Sequence, residues 1–460
     1  MLGTILQTDI EDLIAERRWD ELADAVWALP LADLAEIVID LPPDDEVIVF
    51  RVLSRPIAAE VFAHLPLEHQ KELLQSLASE HMLAILEHMS PDDRAHLLHE
   101  LPAEVTRRLL ESLPPRELKA TREILGYPPH TAGRYMTPQY VSLRPDMTAA
   151  EALEHVRQTG HGKETLNVLY IVDADGKLLE DLRLGALVLA DRGTKVSDIE
   201  DRPLVSIPAT ADRDEVVRAF EKYDRFALPV TDAEGHMLGI ITMDDVLDVA
   251  ASKATKDIQR IGGTGALGAP YLHIGFRAIV RKRGGWLSAL FLGEMLTATA
   301  MGYFQNEIAR AVVLAMFVPL IISSGGNSGS QAATLIVRSL ALAEVRLRDW
   351  WRVFRREVAS GVTLGAWLGL IGFLRVTLWQ HLHFIDYGPH YLLVAATVWI
   401  SLIGVVTFGT LAGSMLPFLL RRLGLDPATS SAPFVATLVD VTGLVIYFVV
   451  AAVILHGTLL

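Results

Sequence analysis

Residues 431–450 read Ser-Ala-Pro-Phe-Val-Ala-Thr-Leu-Val-Asp-Val-Thr-Gly-Leu-Val-Ile-Tyr-Phe-Val-Val, an apolar stretch with one acid, Asp440, at its centre. A carboxylate inside a membrane span costs about 3 kcal/mol on insertion scales. No basic residue in the stretch offsets its charge. At helical spacing the face around Asp440 carries mostly small residues, including Pro433, Ala436, Thr437 and Gly443. This pattern indicates a narrow, wet path for a cation. A hydrogen-bonded acid that joins two helices is the alternative.

The charge of the chain is divided unevenly. Residues 276–460 hold 14 basic and 8 acidic residues, which leaves 27 basic and 48 acidic residues in the first 275, a net charge of −21. Such a surface repels phosphate and excludes nucleic acid as a partner, and it attracts metal cations. The chain has no cysteine, so histidine and carboxylate oxygens are the remaining metal ligands.

Five stretches are long enough to span a bilayer. They cover roughly 285–304, 309–336 (with an interruption), 358–379, 390–420 and 431–456. Basic residues cluster before the first stretch and in the loops after the second and the fourth. The positive-inside rule therefore places the N-terminus in the cytoplasm and the C-terminus outside. Because the first residues lack a signal segment, we expect a multi-pass protein of the cytoplasmic (inner) membrane with a cytoplasmic N-terminal half.

Proline recurs near multiples of 12 residues in the N-terminal part, at positions 30, 42, 66, 91, 102 and 114. Acids usually follow within two residues, and short amphipathic segments lie between the prolines. Proline at the first helical position with acids in the first turn is a good helix start. The pattern predicts a solenoid of short helices. An ordinary helical bundle is the alternative.

A different unit occurs twice farther along the chain, about 59 residues apart. A helix-like segment precedes the apolar runs 168–172 and 227–230, and each run is followed by a turn and a second apolar run. The unit resembles a tandem pair of CBS domains, which commonly sense adenine nucleotides. The resemblance implies that Thr242 and Asp245 bind nucleotide, with ATP as the ligand. Ala186 replaces the corresponding Asp in the first unit, so one nucleotide site at most is expected, and a purely structural pair is the alternative.

Three membrane motifs extend the resemblance to nearly the whole chain. These are Pro319-Leu-Ile-Ile-Ser-Ser-Gly-Gly-Asn-Ser-Gly-Ser-Gln331, the run 416–427 and the run 433–443. Together with the order of the domains, they resemble the MgtE family of bacterial magnesium channels and transporters. The resemblance implies a multidomain membrane protein with an α-helical, solenoid-like N-domain, α+β tandem CBS domains and an all-α transmembrane domain of five helices. The expected limits are 1–132 for the N-domain, 133–198 and 199–252 for the CBS modules, 253–283 for a connecting (plug) helix and 284–460 for the transmembrane domain.

The resemblance also implies a pore on the axis of a homodimer. Mg²⁺ gives up its waters reluctantly and prefers oxygen ligands, so a pore can hold the ion hydrated. Asp440 would offset its charge, and the remaining pore ligands would be Ala436 (through its carbonyl), Asn327 and Glu307. The expected pore-shaping residues are Gly325, Gly326, Gln331, Pro433 and Gly443, with Gly326 at the helix interruption. Glu294 has two equal interpretations, a vestibule acid or a protonated acid bonded to a neighbouring helix.

Regulation by cytoplasmic Mg²⁺ follows from the same resemblance. The matching regulatory acids are Asp92, Asp93, Asp212, Asp214, Asp224, Asp245, Asp248, Asp257 and Asp426. Lys253 and Lys256 stand in the connecting helix, where the family tends to be acidic. A lysine can pair directly with carboxylates, which would weaken the dependence of closure on metal.

Two other classes of function compete with a gated magnesium channel. A transporter of another divalent cation (Co²⁺, Ni²⁺ or Mn²⁺) or a Na⁺-coupled transporter on the same scaffold is the nearer alternative, although the absence of Cys disfavours a soft-metal site. An intramembrane enzyme is more remote, because Glu294 and Asp440 are the only candidate pair and no protease motif is present. We therefore expect a protein that is not an enzyme, with membrane lipid and a second copy of itself as partners.

Overall fold

A repeat of 12 residues organises the first part of the protein. The structure is a computed structural model that describes residues 2–199, 202–267, 271, 274–342 and 344–459. Its chain forms two compact units, Met1–Ser252 and Lys253–Leu460. The first helices are α1 (Leu2–Ala15), α2 (Trp19–Trp27), α3 (Leu31–Asp40), α4 (Pro43–Val52), α5 (Arg55–His64), α6 (Leu67–Ser76), α7 (Ser79–His88), α8 (Pro91–Glu100), α9 (Ala103–Ser112) and α10 (Pro115–Leu125). From α3 to α10 a helix begins every 12 residues, so the predicted solenoid of short helices is confirmed.

The period of 12 arises because each repeat consists of a ten-residue helix and two linking residues. The residue after most of these helices is an extended, buried apolar residue, found at Leu41, Leu53, Leu65, Leu77, Met89 and Leu113. A proline or small residue follows and sets the backbone for the next helix. Pro91 occupies the first helical position, as predicted, whereas Pro30 and Pro66 lie one residue earlier, at the N-cap. Both positions suit proline, because neither needs an N–H donor.

Two small sheets follow the helical repeat. The elements are α11 (Ala132–Tyr135), β1 (Ser142–Leu143), α12 (Ala149–Thr159), β2 (Val168–Val172), β3 (Leu178–Arg183), α13 (Leu184–Leu189), β4 (Ile207–Pro208), α14 (Arg213–Tyr223), β5 (Ala227–Thr231), β6 (Met237–Thr242) and α15 (Met243–Ile261). In each sheet the first strand is parallel to the second and the third is antiparallel to it, in the orders β1-β2-β3 and β4-β5-β6. The predicted twofold α+β unit is confirmed.

The segment before the first sheet packs on the second one. Ala132 and Met136 lie in the hydrophobic core of the second repeat, with Phe220 and Ile241, and Thr137 forms a bridge to Ile240 on β6. The first residues assigned to module 1 by sequence therefore complete the core of module 2. The proposed limits of the two modules stay predictions.

The second unit is α-helical. Its helices, after the end of α15, are α16 (Phe276–Tyr303), α17 (Gln305–Arg310), α18 (Val312–Ala315), α19 (Val318–Ala341), α20 (Trp350–His381), α21 (Tyr391–Arg422) and α22 (Ala432–Ile454). Glycines let α19, α20 and α21 approach closely: a Cβ on Gly325 would lie 2.5 Å from Val405 Cγ1, and one on Gly361 would lie 2.7 Å from Thr407 Cα. Small residues at helix contacts are typical of helices in a bilayer.

Four segments in the described part of the chain are long and apolar enough to cross a membrane, Val312–Ala341, Leu347–His381, Tyr391–Arg422 and Ala432–Ile454. They match four of the five predicted spans. The predicted first span lies in α16, which has 28 residues and is thus long enough to cross. Glu294 lowers the apolar character of α16, so this fifth span stays a prediction.

Candidate metal sites

Three carboxylates from distant parts of the chain meet in the first unit. Oxygens of Asp92, Asp93 and Asp245 all lie within 4.8 Å of one another. Asp92 and Asp93 occupy the first turn of α8, where Ser90 caps the helix by accepting the N–H of Asp93 at 3.3 Å. Asp245 occupies the first turn of α15. Acids are favourable at helix N-termini because the N–H groups there carry partial positive charge. We call Asp92, Asp93 and Asp245 the acidic cluster.

The acidic cluster is largely buried, and its neighbours do not fully offset its negative charge. Burial and the neighbouring Asp245 raise the pKa of Asp92 well above its ordinary value, and burial likewise raises the pKa of Asp93. Burial raises the pKa of Asp245 to about 7, although Thr242 Oγ1 donates to its Oδ2 at 2.7 Å. Asp92 Oδ1 is buried without a hydrogen-bond partner among the described residues. A divalent cation would neutralise these carboxylates. Their oxygens are the kind of ligand that Mg²⁺ prefers.

Further groups surround the acidic cluster. Glu164, which the sequence analysis did not single out, lies near Asp93 and Asp244, and burial raises its pKa to about 7. Asp248 is exposed and interacts electrostatically with Asp93. His96 is exposed and also faces Asp93, and partial desolvation lowers the pKa of its ring. No motif marks Glu164, because it precedes β2 in a stretch without helix or strand pattern.

Three other predicted regulatory acids lie outside the acidic cluster and have local structural roles. Asp212 caps α14 by accepting the N–H of Asp214 at 2.8 Å. Asp214 lies 3.8 Å from the guanidinium of Arg213. Asp224 ends α14 in the left-handed conformation, at φ +48°, which Asp tolerates better than most residues. Their predicted role as metal ligands stays a prediction.

The predicted nucleotide residues lie side by side. Thr242 ends β6 and Asp245 follows in α15, joined by the hydrogen bond described above. The cavity beside Asp245 is lined by Tyr135, Arg213, Val216, Val217, Ile241, Asp245, Val246 and Val249, and its volume is about 10 Å³. That volume holds about one water molecule. A nucleotide would enter here only after these walls separate.

In the second unit Asp426 has a fixed cationic partner. Arg260, at the end of α15, makes an ion pair with Asp426, which also accepts the N–H of Ala428 at 2.9 Å and so begins the turn before α22. Lys253 and Lys256, the cations that the sequence singled out, lie on α15 with Asp257. The side chain that meets Asp426 is thus an arginine one to two turns farther along the same helix.

Asp440 and Glu294 meet between α22 and α16. Their carboxyl groups are close enough to interact, and both residues are partly buried. Two neighbouring carboxyl groups relieve their repulsion either by sharing a proton or by binding a cation between them. Close approach of the helices supports the contact, since a Cβ on Gly293 would lie 2.7 Å from Thr437 Cγ2. A contact with a neighbouring helix is what the second interpretation of Glu294 expects, and both interpretations stay predictions.

The Gly-Gly-Asn run lies inside a continuous helix. α19 extends without a break from Val318 to Ala341, so the interruption expected at Gly326 is wrong. The breaks lie earlier, at Ala311 and at 316–317, around the short helix α18. Hydrogen bonding to the preceding turn continues through Gly325 and Gly326 because glycine is tolerated within a helix supported by neighbours.

The predicted pore-shaping residues divide into two groups. Gly325 and Gly443 face Val405 of α21 and serve helix packing. Gly326 faces α22 instead, where a Cβ would lie 3.6 Å from Ala436 Cβ, an ordinary contact distance. Pro433 begins α22 near Gly263, which has φ +72°. Small residues therefore line the contact between α19 and α22, with Ser330 Oγ donating to the Ala432 carbonyl at 3.2 Å.

The two amide residues of α19, Asn327 and Gln331, are on its exposed side. Asn327 and Gln331 are exposed, one turn apart, and Asn327 donates to Ser323 Oγ at 3.5 Å. Glu307 lies in α17, and its Oε2 is buried without a hydrogen-bond partner in the described part of the chain. In the described part of the chain no hydrogen bond joins Asn327, Gln331 or Glu307 to Asp440, and their role in a pore stays a prediction.

Comparisons with known proteins match this organisation. A family described as "Divalent cation transporter" (MgtE) matches residues 318–450, the MgtE intracellular N domain matches 29–130, and the CBS domain matches 132–183 and 196–252. The magnesium transporter MgtE of Thermus thermophilus is 37% identical to the chain and aligns with 98% of it and 99% of its own length. This chain belongs to the MgtE family.

Other MgtE proteins are similar over smaller parts. The magnesium transporter MgtE of Enterococcus faecalis is 31% identical over 72% of this chain and 70% of its own length. A crystal structure of the cytosolic domain of the Mg²⁺ channel MgtE in complex with ATP is 34% identical, with a TM-score of 0.51, and covers 53% of this chain and 99% of that one. Membership of the MgtE family confirms the resemblance read from the motifs, and it makes this a membrane protein with an MgtE N-domain and a CBS pair.

Proposed function

We propose that this chain transports Mg²⁺ across the cytoplasmic membrane through a pathway beside Asp440. Relatives named magnesium transporters support the ion. The observation that carries the proposal is the contact of Asp440 with Glu294 between two long helices. In a low-dielectric setting a pair of acids attracts a divalent cation strongly and relieves its own repulsion by binding one.

The residues next to this pair are small. Ala436 lies one turn before Asp440 on α22, and Gly326 faces it from α19. Removing the waters of Mg²⁺ is costly, so a path that hydrogen-bonds the water shell avoids that cost. Asp440 then offsets charge, and the Ala436 carbonyl is available to the ion's waters.

The working form that we propose is a homodimer. Ser323, Asn327 and Gln331 recur at intervals of four residues, and Asn327 and Gln331 expose amide groups on the surface of a membrane helix. Amide groups are costly to leave against lipid. A second copy of the chain would cover this stripe or enclose a wet path along it. The distribution of basic residues between the loops supports an N-terminus in the cytoplasm, on the inner face of the membrane.

Cytoplasmic Mg²⁺ would regulate the pathway through the acidic cluster. Asp92 and Asp93 belong to the helical N-domain and Asp245 to the CBS pair, so an ion bound by all three ties the two domains together. Binding stabilises whichever arrangement holds the ion, by RT ln(1 + [L]/Kd). Rising cytoplasmic Mg²⁺ would thus favour the closed arrangement.

ATP binding at the CBS pair is part of the proposal. The cytosolic domain of a relative is named as a complex with ATP, and Thr242 and Asp245 are adjacent here. Because Asp245 is shared with the acidic cluster, ATP and Mg²⁺ would affect each other's binding. Calorimetry with ATP at low and millimolar Mg²⁺ tests this coupling, and equal affinities would contradict it.

Uptake by proteoliposomes tests the main proposal. The full chain is reconstituted with a Mg²⁺-sensitive dye inside, and Mg²⁺, Co²⁺, Ni²⁺ and Mn²⁺ are offered in turn, with and without a Na⁺ gradient. We expect Mg²⁺ influx that does not depend on Na⁺. Faster uptake of another divalent cation would favour the broader description of the family as divalent cation transporters, and a requirement for Na⁺ would favour a coupled transporter.

A further inference from the structure

The beginning of α20 extends well beyond what a bilayer core needs. The candidate span Leu347–His381 has 35 residues, a length of about 52 Å at the helical rise, whereas the hydrocarbon core is about 30 Å thick. Because arginine is costly in hydrocarbon, we expect the first turns, which carry the arginines, at the level of the lipid headgroups. Val353 is buried in an apolar cluster with Ile336, Leu340 and Phe418, which holds these turns in a fixed orientation.

Two side-chain stripes lie next to each other on these turns. Arg352, Arg355 and Arg356 are exposed and share one face by their spacing. The neighbouring face is aromatic. The rings of Trp351 and Phe354 stack with centroids 5.1 Å apart, and Trp350 packs against Trp351 at 5.4 Å. Trp350 and Trp351 nevertheless remain 50% and 53% exposed.

Few nearby acids offset the positive charge of Arg352, Arg355 and Arg356. Residues 344–357 contain five arginines and three acids. Among the described residues, the salt bridge seen for these arginines joins Arg352 to Asp349 at 3.5 Å, and 86% of the Arg352 side chain is still exposed. An arginine fork matches two oxygens of a phosphate, and exposed tryptophans favour the glycerol level of a membrane.

We propose that the first two turns of α20 bind an anionic phospholipid, with its phosphate against Arg352, Arg355 and Arg356 and its glycerol backbone over Trp351 and Phe354. Charge complementarity selects this occupant over a neutral lipid. The adjacent aromatic stripe selects a lipid over free phosphate, which has no apolar part to cover the rings. The site does not depend on which ion the protein transports.

Native mass spectrometry of the full chain in detergent tests the site, with phosphatidylglycerol and phosphatidylcholine as probes. We expect phosphatidylglycerol to bind at least about tenfold more tightly, since each arginine near an anionic headgroup contributes about fivefold. The variant R352Q/R355Q/R356Q should lose this preference. R352K/R355K/R356K keeps the charge without the fork and should retain part of it.

The matched control removes three exposed basic residues elsewhere, in R277Q/R281Q/R283Q at the beginning of α16. It should keep the preference within about twofold. Equal losses in the control and in R352Q/R355Q/R356Q would overturn the site in favour of general attraction by basic residues. Displacement of phosphatidylglycerol by millimolar inorganic phosphate would make it a phosphate site. If R352Q/R355Q/R356Q changes the oligomeric mass of the protein but leaves lipid binding unchanged, the arginine face of α20 is a contact with a second copy of the chain. Equal melting temperatures of the variants verify that folding is intact.

Discussion

Acids are brought together in different ways in the two units of this protein. In the first unit Asp92, Asp93 and Asp245 are the first-turn residues of two helices whose N-termini converge. In the second unit Asp440 and Glu294 lie within long helices, more than two turns from the N-terminus of the helix that carries each. Helix N–H groups thus compensate part of the charge in the acidic cluster. The pair of Asp440 and Glu294 has a shared proton or an ion as its means of compensation. We therefore expect this pair to control movement of the ion, and the acidic cluster to respond to its concentration.

The largest effect is expected at the pair of Asp440 and Glu294. Asp440→Ala should lower Mg²⁺ uptake by proteoliposomes at least about 100-fold, because the loss of roughly 3 kcal/mol of charge stabilisation changes a rate by that factor. The proposed homodimer should still assemble. Glu294→Gln is the matched variant, because glutamine keeps the shape of the acid that contacts Asp440. It should reduce uptake less than Asp440→Ala does. Wild-type flux and selectivity in Asp440→Ala would remove Asp440 from the pathway.

A second test separates space for the ion from helix packing. Gly326→Leu should lower uptake at least about tenfold by filling the contact with Ala436. Ser328→Ala should stay within about twofold, since the Ser328 hydroxyl is buried without a partner among the described residues. Gly325→Ala is the packing control: its Cβ would clash with Val405, so it should lower the melting temperature. Similar uptake in Gly326→Leu and Ser328→Ala would show that the run serves packing alone.

The acidic cluster should make the stability of the protein depend on pH and Mg²⁺. The folded protein keeps protons on Asp245 and Glu164 up to a pKa of about 7, whereas the unfolded chain releases them near pH 4. The folded state therefore binds more protons between about pH 4 and 7, and the free energy of unfolding falls as the pH rises through that window. Without metal, the full chain should melt at a lower temperature at pH 8 than at pH 6.

Millimolar Mg²⁺ should restore the melting temperature at pH 8. Asp92→Asn, which removes a buried charge from the acidic cluster, should weaken both the pH dependence and the Mg²⁺ effect. Asp191→Asn, at an exposed acid outside the cluster and outside the predicted regulatory set, is the matched control and should change neither. An equal response of the two variants would mean that general charge screening, and not the acidic cluster, is responsible.

The smallest effect is expected at the ion pair of Arg260 and Asp426. Both side chains are more than a third exposed, and such pairs contribute at most about 1 kcal/mol. Arg260→Ala should raise uptake at high internal Mg²⁺ by no more than about fivefold, since the ion pair holds the end of α15 near the beginning of α22. A double-mutant cycle with Asp426→Asn measures the coupling. A coupling energy of zero would show that the pair does not contribute to closure.

Periodic patterns predicted the elements of this fold well. The 12-residue spacing of proline and leucine corresponds to helices that begin at 12-residue intervals from Leu31 to Pro115, and the repeat of apolar runs corresponds to β2 and β5. Such patterns are local, because each turn or strand face leaves its own trace in the sequence. The predicted helix interruption at Gly326 was wrong because the prediction used only this local signal. Glycine favours a break locally, but neighbouring helices keep α19 continuous.

The sequence by itself determined which residue types are available for cations: a lone acid in an apolar span, acids after helix-starting prolines, and no thiolate. Only the tertiary structure decided their partners. It placed Glu294 against Asp440, Glu164 near Asp92 and Asp93, and Arg260 rather than a lysine against Asp426. The physical reason is that spacing along one helix defines a face, whereas the residue opposite that face comes from a distant segment and depends on how whole helices pack.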